Sequence, residues 1–249
     1  MAHTVKIMGI PFSTWTLAET TDQLTSHVEK ASRMLHLMTV NPEIAMRSQS
    51  DAHLQMILRE ADVITPDGVG IVMASKRSGT PVPERVTGYE LLLELLAKGD
   101  EKRWGFYFLG TDEETNCLAV ENIRQRFPQV IISGRHHGFF AEGDEAMILQ
   151  DIQQTKPDVL IVAMGAPRSD KWMHQHKQAL SGVKLGFGVG GSLDVLSGKV
   201  KPTPGFWKTL QLEWLHRLLT AKVAKGQPSR WRRQAILPKF VYHAILKKS

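Results

Sequence analysis

Short apolar runs alternate with amphipathic stretches along most of this chain, and the alternation sets the expected architecture. Val5 to Ile7, Leu35 to Val40, Val63-Ile64, Trp104 to Leu109, Val130 to Ser133 and Pro157 to Met164 read as strands. Between them lie helical patterns. One opens at Ser13-Thr-Trp-Thr and runs to about Arg33, with Leu17, Leu24 and Val28 on its buried side. Others start at Pro42, where the missing N–H costs nothing, and span Asp51 to Glu60, Gly68 to Lys76, Leu91 to Leu96, Glu113 to Phe127 and Asp144 to Gln154. Strand followed by helix, repeated, implies right-handed crossovers and an α/β fold with a largely parallel sheet. The pattern changes at Lys199. Pro202 and Pro204 mark a boundary, followed by a helix near Phe206 to Leu219, a break at Gly226-Gln-Pro and a last basic helix from about Ser229 to Leu246.

Composition keeps this picture globular. With 249 residues, 42% of them hydrophobic and 22% charged, the chain suffices for one sizeable α/β domain and an appendage, here divided as residues 1–198 and 199–249. No apolar run approaches the roughly 18 residues that cross a bilayer, and Met1 to Phe12 lacks the features of a signal peptide, so a cytoplasmic location is expected. Cys117 is the only cysteine, which excludes an internal disulfide and a Cys-rich metal site.

Charge divides the two parts. Residues 199–249 hold 12 Lys/Arg and one acid, Glu213, a balance of +11 that leaves −5 for the rest of a chain of net +6. They also carry Trp207, Trp214 and Trp231. Cations interleaved with Trp and Leu at helical spacing suit an anionic surface, either a membrane face or nucleic acid. The same asymmetry would allow the basic tail of one copy to pair with the acidic part of another in a homo-oligomer.

The candidate chemistry gathers where strands end. In Ala61-Asp-Val-Ile-Thr-Pro-Asp-Gly-Val-Gly70 the strand is stopped by Thr65-Pro66, and Asp67 falls at the edge where open parallel sheets bind ligands. Asp67 is placed either to cap the next helix or to act as a base. Thr39-Val-Asn41 puts polar groups at the preceding strand end, in the same expected cleft. Arg85 and Thr87 stand in a Pro-rich loop before a helix, as anion-binding groups or as a solvated cation and an N-cap. Gly110 closes another strand. Gly165-Ala-Pro-Arg168 is a turn where backbone N–H groups, Arg168 or Lys171 could hold phosphate. Gly186, Gly188 and Gly191 match the spacing of a dinucleotide fingerprint. Their position before a basic tail, and not in a first βα unit, argues against that motif, although an oxidoreductase remains an alternative beside a nucleic-acid module. No Walker loop, nucleophile elbow or Asp-x-Asp pair occurs, and His136-His137 and His174-x-His176 lack metal spacing, so nucleotide chemistry without a metal is expected.

In chain order, seven motifs resemble one family: Thr39-Val-Asn41, Thr65-Pro-Asp-Gly-Val-Gly70, Glu84-Arg-Val-Thr-Gly88, Gly165-Ala-Pro-Arg168, Gly188-Val-Gly-Gly-Ser192 with Asp194, Ser197-Gly-Lys199 and Leu212-Glu-Trp-Leu-His-Arg-Leu218. Together they are similar to the WecG/TagA/CpsF glycosyltransferases, over about residues 5 to 240. The resemblance implies a Rossmann-like core of the GT-E type, no metal or cofactor, and a basic C-terminal appendage that docks on the inner face of the plasma membrane. It implies an inverting transfer of an N-acetylhexosamine from a UDP-sugar to a polyprenyl-diphosphate-linked sugar, and no nucleic-acid partner. TagA-like members use UDP-ManNAc and undecaprenyl-diphosphate-GlcNAc in wall teichoic acid synthesis; siblings use N-acetylmannosaminuronic acid or glucose. On this resemblance Asp67 is the general base, Thr39 the active-site threonine, and Arg217, Arg230 and Arg233 the cations at the leaving diphosphate. Asn41 with Thr39 would orient the sugar, and Arg85, Thr87, Gly110, Gly165, Arg168, Gly188, Gly190, Gly191 and Asp194 would line the substrate site. The chain departs from similar sequences at Ser169-Asp170, where they carry Gln-Glu, and Thr220 to Gly226 forms a longer link.

Overall fold

The computed structural model describes residues 4–77, 79, 81–201 and 236–246. Its centre is a six-stranded, wholly parallel sheet in the order β4-β3-β8-β7-β5-β6, built from β3 (Leu35–Val40), β4 (Val63–Pro66), β5 (Gly105–Gly110), β6 (Ile131–His136), β7 (Val159–Ala163) and β8 (Leu185–Gly188). The helices are α1 (Leu17–Lys30), α2 (Pro42–Ser48), α3 (Ala52–Glu60), α4 (Val69–Ser75), α5 (Gly88–Lys102), α6 (Glu113–Arg126), α7 (Glu145–Thr155), α8 (Arg168–Gln175) and α9 (Ser192–Leu196). Side chains alternate across the sheet. Leu37, Phe106, Phe108, Val159 and Ile161 pack with α1, α5 and α6 on one face. Tyr107, Leu109, Leu160 and Val162 pack with α7 and α8 on the other, and Met38, Val40 and Ile64 pack with α2, α3 and α4. The expected parallel α/β sheet is therefore present, and all its strands except the edge strand β6 are buried on both faces as parallel strands are.

Three sequence expectations need correction. The helix expected from Ser13 begins later, because Ile10–Ser13 forms β2, an antiparallel partner of β1 (Thr4–Ile7). Met8 and Gly9 turn this hairpin at φ 52° and 81°, the left-handed pair that matches strand twist. Helix α1 then starts behind Thr16, whose hydroxyl accepts from Glu19 N–H while its own N–H donates to the Glu19 carboxylate at 2.8 Å. Pro66 does not stop β4 but belongs to it, opposite Val40. The strand tolerates a residue with no N–H because it lies at the sheet edge. Finally, Gly186 and Gly188, two glycines of the apparent fingerprint, do not form a turn but lie inside a strand, β8. A side chain at Gly186 would meet the sulfurs of Met34 and Met173 at 3.1 and 3.2 Å, so this glycine serves packing and is no part of a phosphate loop.

Beyond residue 201 the described part is short: α10 (Ile236–Val241) and a π-helical turn, Tyr242–Leu246. Helix α10 packs on α2 and α4, and Phe240 is fully buried in the cluster that contains Val40, Ile44, Ile64 and Ile71. The expected helix near Phe206 to Leu219 lies outside the described residues. Among the described residues no helix is long and apolar enough to cross a membrane.

Candidate active site

All six strands run the same way, so their C-terminal ends form one edge. At about 4.8 Å per strand, the edge from β4 to β5 spans about 19 Å. The chain crosses over in opposite directions from β7 and β5, which are neighbours: β7 leads back to β8, and β5 leads out to β6. The crevice between them is the topological switch point, where ligands bind in open α/β sheets.

At the β4 end of the edge, Thr39 pairs in register with Thr65, and the Asp67 N–H donates to the Val40 carbonyl at 3.0 Å. That bond, together with the edge position of β4, fixes where half-buried Asp67 leaves the strand. The N-cap position of α4 falls on the next residue, Gly68, at φ 113°. Asn41 caps α2, its Oδ1 accepting from Ile44 N–H at 3.0 Å. Its amide group, a double donor, is the part of the side chain left over for a ligand.

The loop ahead of α5 is fastened over this corner. Val86 N–H donates to the Pro66 carbonyl at 2.8 Å, and Thr65 Oγ1 donates to the Val86 carbonyl at 3.3 Å. Thr87 is the N-cap of α5: its hydroxyl accepts from Glu90 N–H and donates to the Glu90 carboxylate at 2.9 Å. Arg85 pairs with the other Glu90 oxygen at 3.3 Å. A side chain at Gly88 would lie 3.2 Å from Thr39 Oγ1 and 3.7 Å from the Gly188 carbonyl. Gly88, the last residue of the Glu84-Arg-Val-Thr-Gly88 motif, therefore lets the first turn of α5 approach the ends of β3 and β8, and brings its positive dipole end toward them.

Around the switch crevice the turns are laced by backbone bonds. Gly110 adopts φ 136°, and a Cβ there would sit 2.4 Å from the carbonyl carbon of Ala163, its register partner on β7. Thr111 N–H donates to the Ala163 carbonyl at 2.9 Å, and Gly138 N–H to the Thr111 carbonyl at 2.7 Å. Buried Asn116 ties the same region, its amide reaching the carbonyls of Phe108, Gly110 and His136. Gly165 (φ 83°) and Gly190 (φ 53°) have no atom within 4 Å of a would-be Cβ, so both turns are open for close approach. Gly191 is the N-cap of α9, and a side chain there would meet the Asp194 carboxylate at 3.2 Å.

Arg168 opens α8, is exposed, and lies 5.7 Å from the Phe140 ring centre. Ser169 points inward instead: it is buried, its hydroxyl accepts from Met164 N–H at 3.1 Å and donates to the Val162 carbonyl at 3.3 Å. Asp170, also buried, faces the His36 ring at 3.5 Å. On α6 the N-cap Asp112 has its carboxyl pulled down to about 2, chiefly by the Thr115 hydroxyl at 2.6 Å, against partial burial. Lys199 reaches Glu114 at 2.8 Å and Asp112 at 3.5 Å, which pins the start of the basic segment to α6.

Thr39, Asn41 and Asp67 thus meet at the β3/β4 corner under the loop that carries Arg85 and Thr87, Gly188 lies next to them across Gly88, Gly190, Gly191 and Asp194 follow in the turn after β8, and Gly110, Gly165 and Arg168 surround the switch crevice. Arg217, Arg230 and Arg233 lie outside the described residues. Among the described residues no three His, Cys, Asp or Glu side chains converge as metal ligands do.

The chain belongs to the WecG/TagA/CpsF family of glycosyl transferases, whose profile matches residues 5–249, and it is accordingly an enzyme of the glycosyltransferase class. Among individual proteins, it is 36% identical to the N-acetylglucosaminyldiphosphoundecaprenol N-acetyl-beta-D-mannosaminyltransferase of Bacillus spizizenii, over 85% of this chain and 78% of that protein. The enzyme of the same name from Bacillus subtilis is 31% identical over 99% of this chain and 92% of its own. A third, from Staphylococcus aureus, is 31% identical over 86% and 84%.

Proposed function

We propose that this enzyme transfers N-acetylmannosamine from UDP-ManNAc to undecaprenyl-diphosphate-linked GlcNAc, with inversion and without a metal, forming the β-1,4 disaccharide of the wall teichoic acid linkage unit. The observation that carries the reading is the convergence of Thr39, Asn41 and Asp67 at one corner of an edge that continues into the glycine-lined switch crevice. The names of the similar transferases support the transferred sugar and the acceptor.

In this mechanism the donor lies along the strand edge, its nucleotide against the open turns at Gly110, Gly165 and Gly188 to Gly191, its anomeric carbon toward Thr39. The acceptor O4 attacks that carbon from the face opposite UDP, and Asp67 takes its proton as the C1–O bond to the β-phosphate breaks. Thr39 and the Asn41 amide orient the sugar. Charge growing on the diphosphate is met by Arg217, Arg230 and Arg233 and by helix N-termini. Ser169 contributes to the shape of its turn, not to the sugar, since both its hydrogen bonds go to β7 and the following residue. Residues 1–198 act as the catalytic core and 199–249 as the appendage that docks on anionic lipid, each basic residue near the surface adding on the order of 1 kcal/mol.

UDP release from UDP-ManNAc with a soluble diphosphate-lipid GlcNAc analogue, in EDTA, tests this for the parent and for Asp67→Asn. The parent should turn over, and the variant should lose roughly two or more orders of magnitude while still binding UDP. Equal turnover would remove Asp67 as base. Turnover with UDP-glucose or the uronic acid donor, but not with UDP-ManNAc, would overturn the donor.

A further inference from the structure

The turn that carries Asp67 is held from the far end of the chain. Pro42, the first residue of α2, lies against the two glycines that flank α4's start: a Cβ at Gly68 would be 3.7 Å from Pro42 Cδ, and one at Gly70 only 2.8 Å from Pro42 Cγ. The turn after β3 and the turn after β4 are therefore packed face to face, in addition to the bond from Asp67 N–H to the Val40 carbonyl. The same spot receives a second side chain. Phe240 of α10 brings its ring edge to 3.5 Å from the would-be Gly70 Cβ, and its ring is wholly buried.

Glycine at 70 makes this three-way contact: without a side chain, Pro42 and the Phe240 ring share the surface of α4's first turn. In the apolar cluster that Phe240 joins, every member except Phe240 itself and the packed-on Ala244 precedes residue 83, so the C-terminal segment is the one late piece of chain in it. Asp67 is three residues from Gly70, so the orientation of α4's first turn sets the direction in which its carboxylate leaves β4.

We propose that Phe240 is a positioning residue for Asp67: seating of the C-terminal helix on Pro42 and Gly70 fixes the catalytic turn, so that the base is aligned only when that helix is docked. This rests on Asp67 being the base. It makes the C-terminal segment part of the proton-accepting side of the site through packing, independently of any cation it carries.

The test is a double-mutant cycle in the full chain, with Asp67→Asn and Phe240→Ala alone and combined, reading kcat, KM for the donor and UDP affinity. Phe240→Ala should lower kcat about 10- to 100-fold, the scale of a group displaced by about 1 Å, with UDP affinity unchanged. Phe240→Leu, which keeps an apolar filler, should recover most of the loss. In the combined variant the two losses should not multiply, because Phe240 acts through Asp67. Gly70→Ala, which perturbs the same contact from α4, should reproduce the kcat loss if Phe240→Ala proves too unstable to assay. Multiplying losses, or parental kcat in both Phe240→Ala and Gly70→Ala, would overturn the proposal while leaving Asp67 as base. Full activity of Asp67→Asn would overturn the base reading itself, and this inference with it.

Discussion

Gly110→Ala probes the switch crevice at its tightest point. Gly110 has φ 136°, and its Cβ would stand 2.4 Å from the carbonyl carbon, 2.5 Å from the oxygen and 2.7 Å from the Cα of Ala163. All three are backbone atoms of a central strand and cannot rotate away. Holding an L-residue in so sparsely populated a region costs about 1–3 kcal/mol. Relief of the overlap requires the ends of β5 and β7 to part, which breaks the 2.9 Å bond from Thr111 N–H to the Ala163 carbonyl and removes about 1 kcal/mol more. The sum, about 2–4 kcal/mol, is a large share of the 5–15 kcal/mol typical of a folded domain. With a urea slope of about 3 kcal/mol per molar, the unfolding midpoint should fall by about 1 M. UDP affinity should fall too, because the parted turns are the walls of the crevice. Gly143→Ala, where a Cβ meets nothing within 4 Å, is the control and should stay within about 0.5 kcal/mol of the parent. An unchanged midpoint and unchanged UDP affinity in Gly110→Ala would refute both the steric argument and the placing of the nucleotide there.

Two further outcomes follow from hydrogen bonds at the same edge. Asp112 has its folded pKa at about 2, below an ordinary 3.8, so its contribution is present above pH 3.8 and is lost as pH falls toward 2. Since the side chain is 52% exposed, screening limits that contribution to about 1 kcal/mol. Asp112→Ala should lose about that much at neutral pH and show a flatter acid limb in urea midpoints; a parental acid limb would contradict the assignment. Ser169→Ala should cost about 1–2 kcal/mol of stability with donor KM unchanged, whereas a raised KM at unchanged stability would make Ser169 a sugar contact.

Local signals carried much of the site. The helix starts at Pro42 and Asp51, the cap at Thr87 and the strand ends at Thr39 and Asp67 each follow from short-range chemistry, and all appear within a residue or two of their expected places. Other features were not local. Pro66 looks like a strand breaker until β4 is known to be an edge strand, and Gly186 looks like a phosphate glycine until two methionine sulfurs are found against it. The Met8-Gly9 turn was within reach, since a glycine between two alternating apolar runs is a hairpin signal.

The sequence by itself determined the alternation of strands and helices, the sheet's parallel sense, the polar strand ends and the charge divide at residue 199, because periodicity, caps and composition act over a few residues. The sequence already put Thr39 and Asp67 in one expected cleft, but only the tertiary structure decided which strands are neighbours, and hence the register that sets Thr39 opposite Thr65 and the place of the switch crevice between β5 and β7. It alone placed Phe240 against Gly70. Contacts of that kind depend on two surfaces fitting after the chain has closed a long loop, and neither partner carries a mark of the other in its own stretch of sequence.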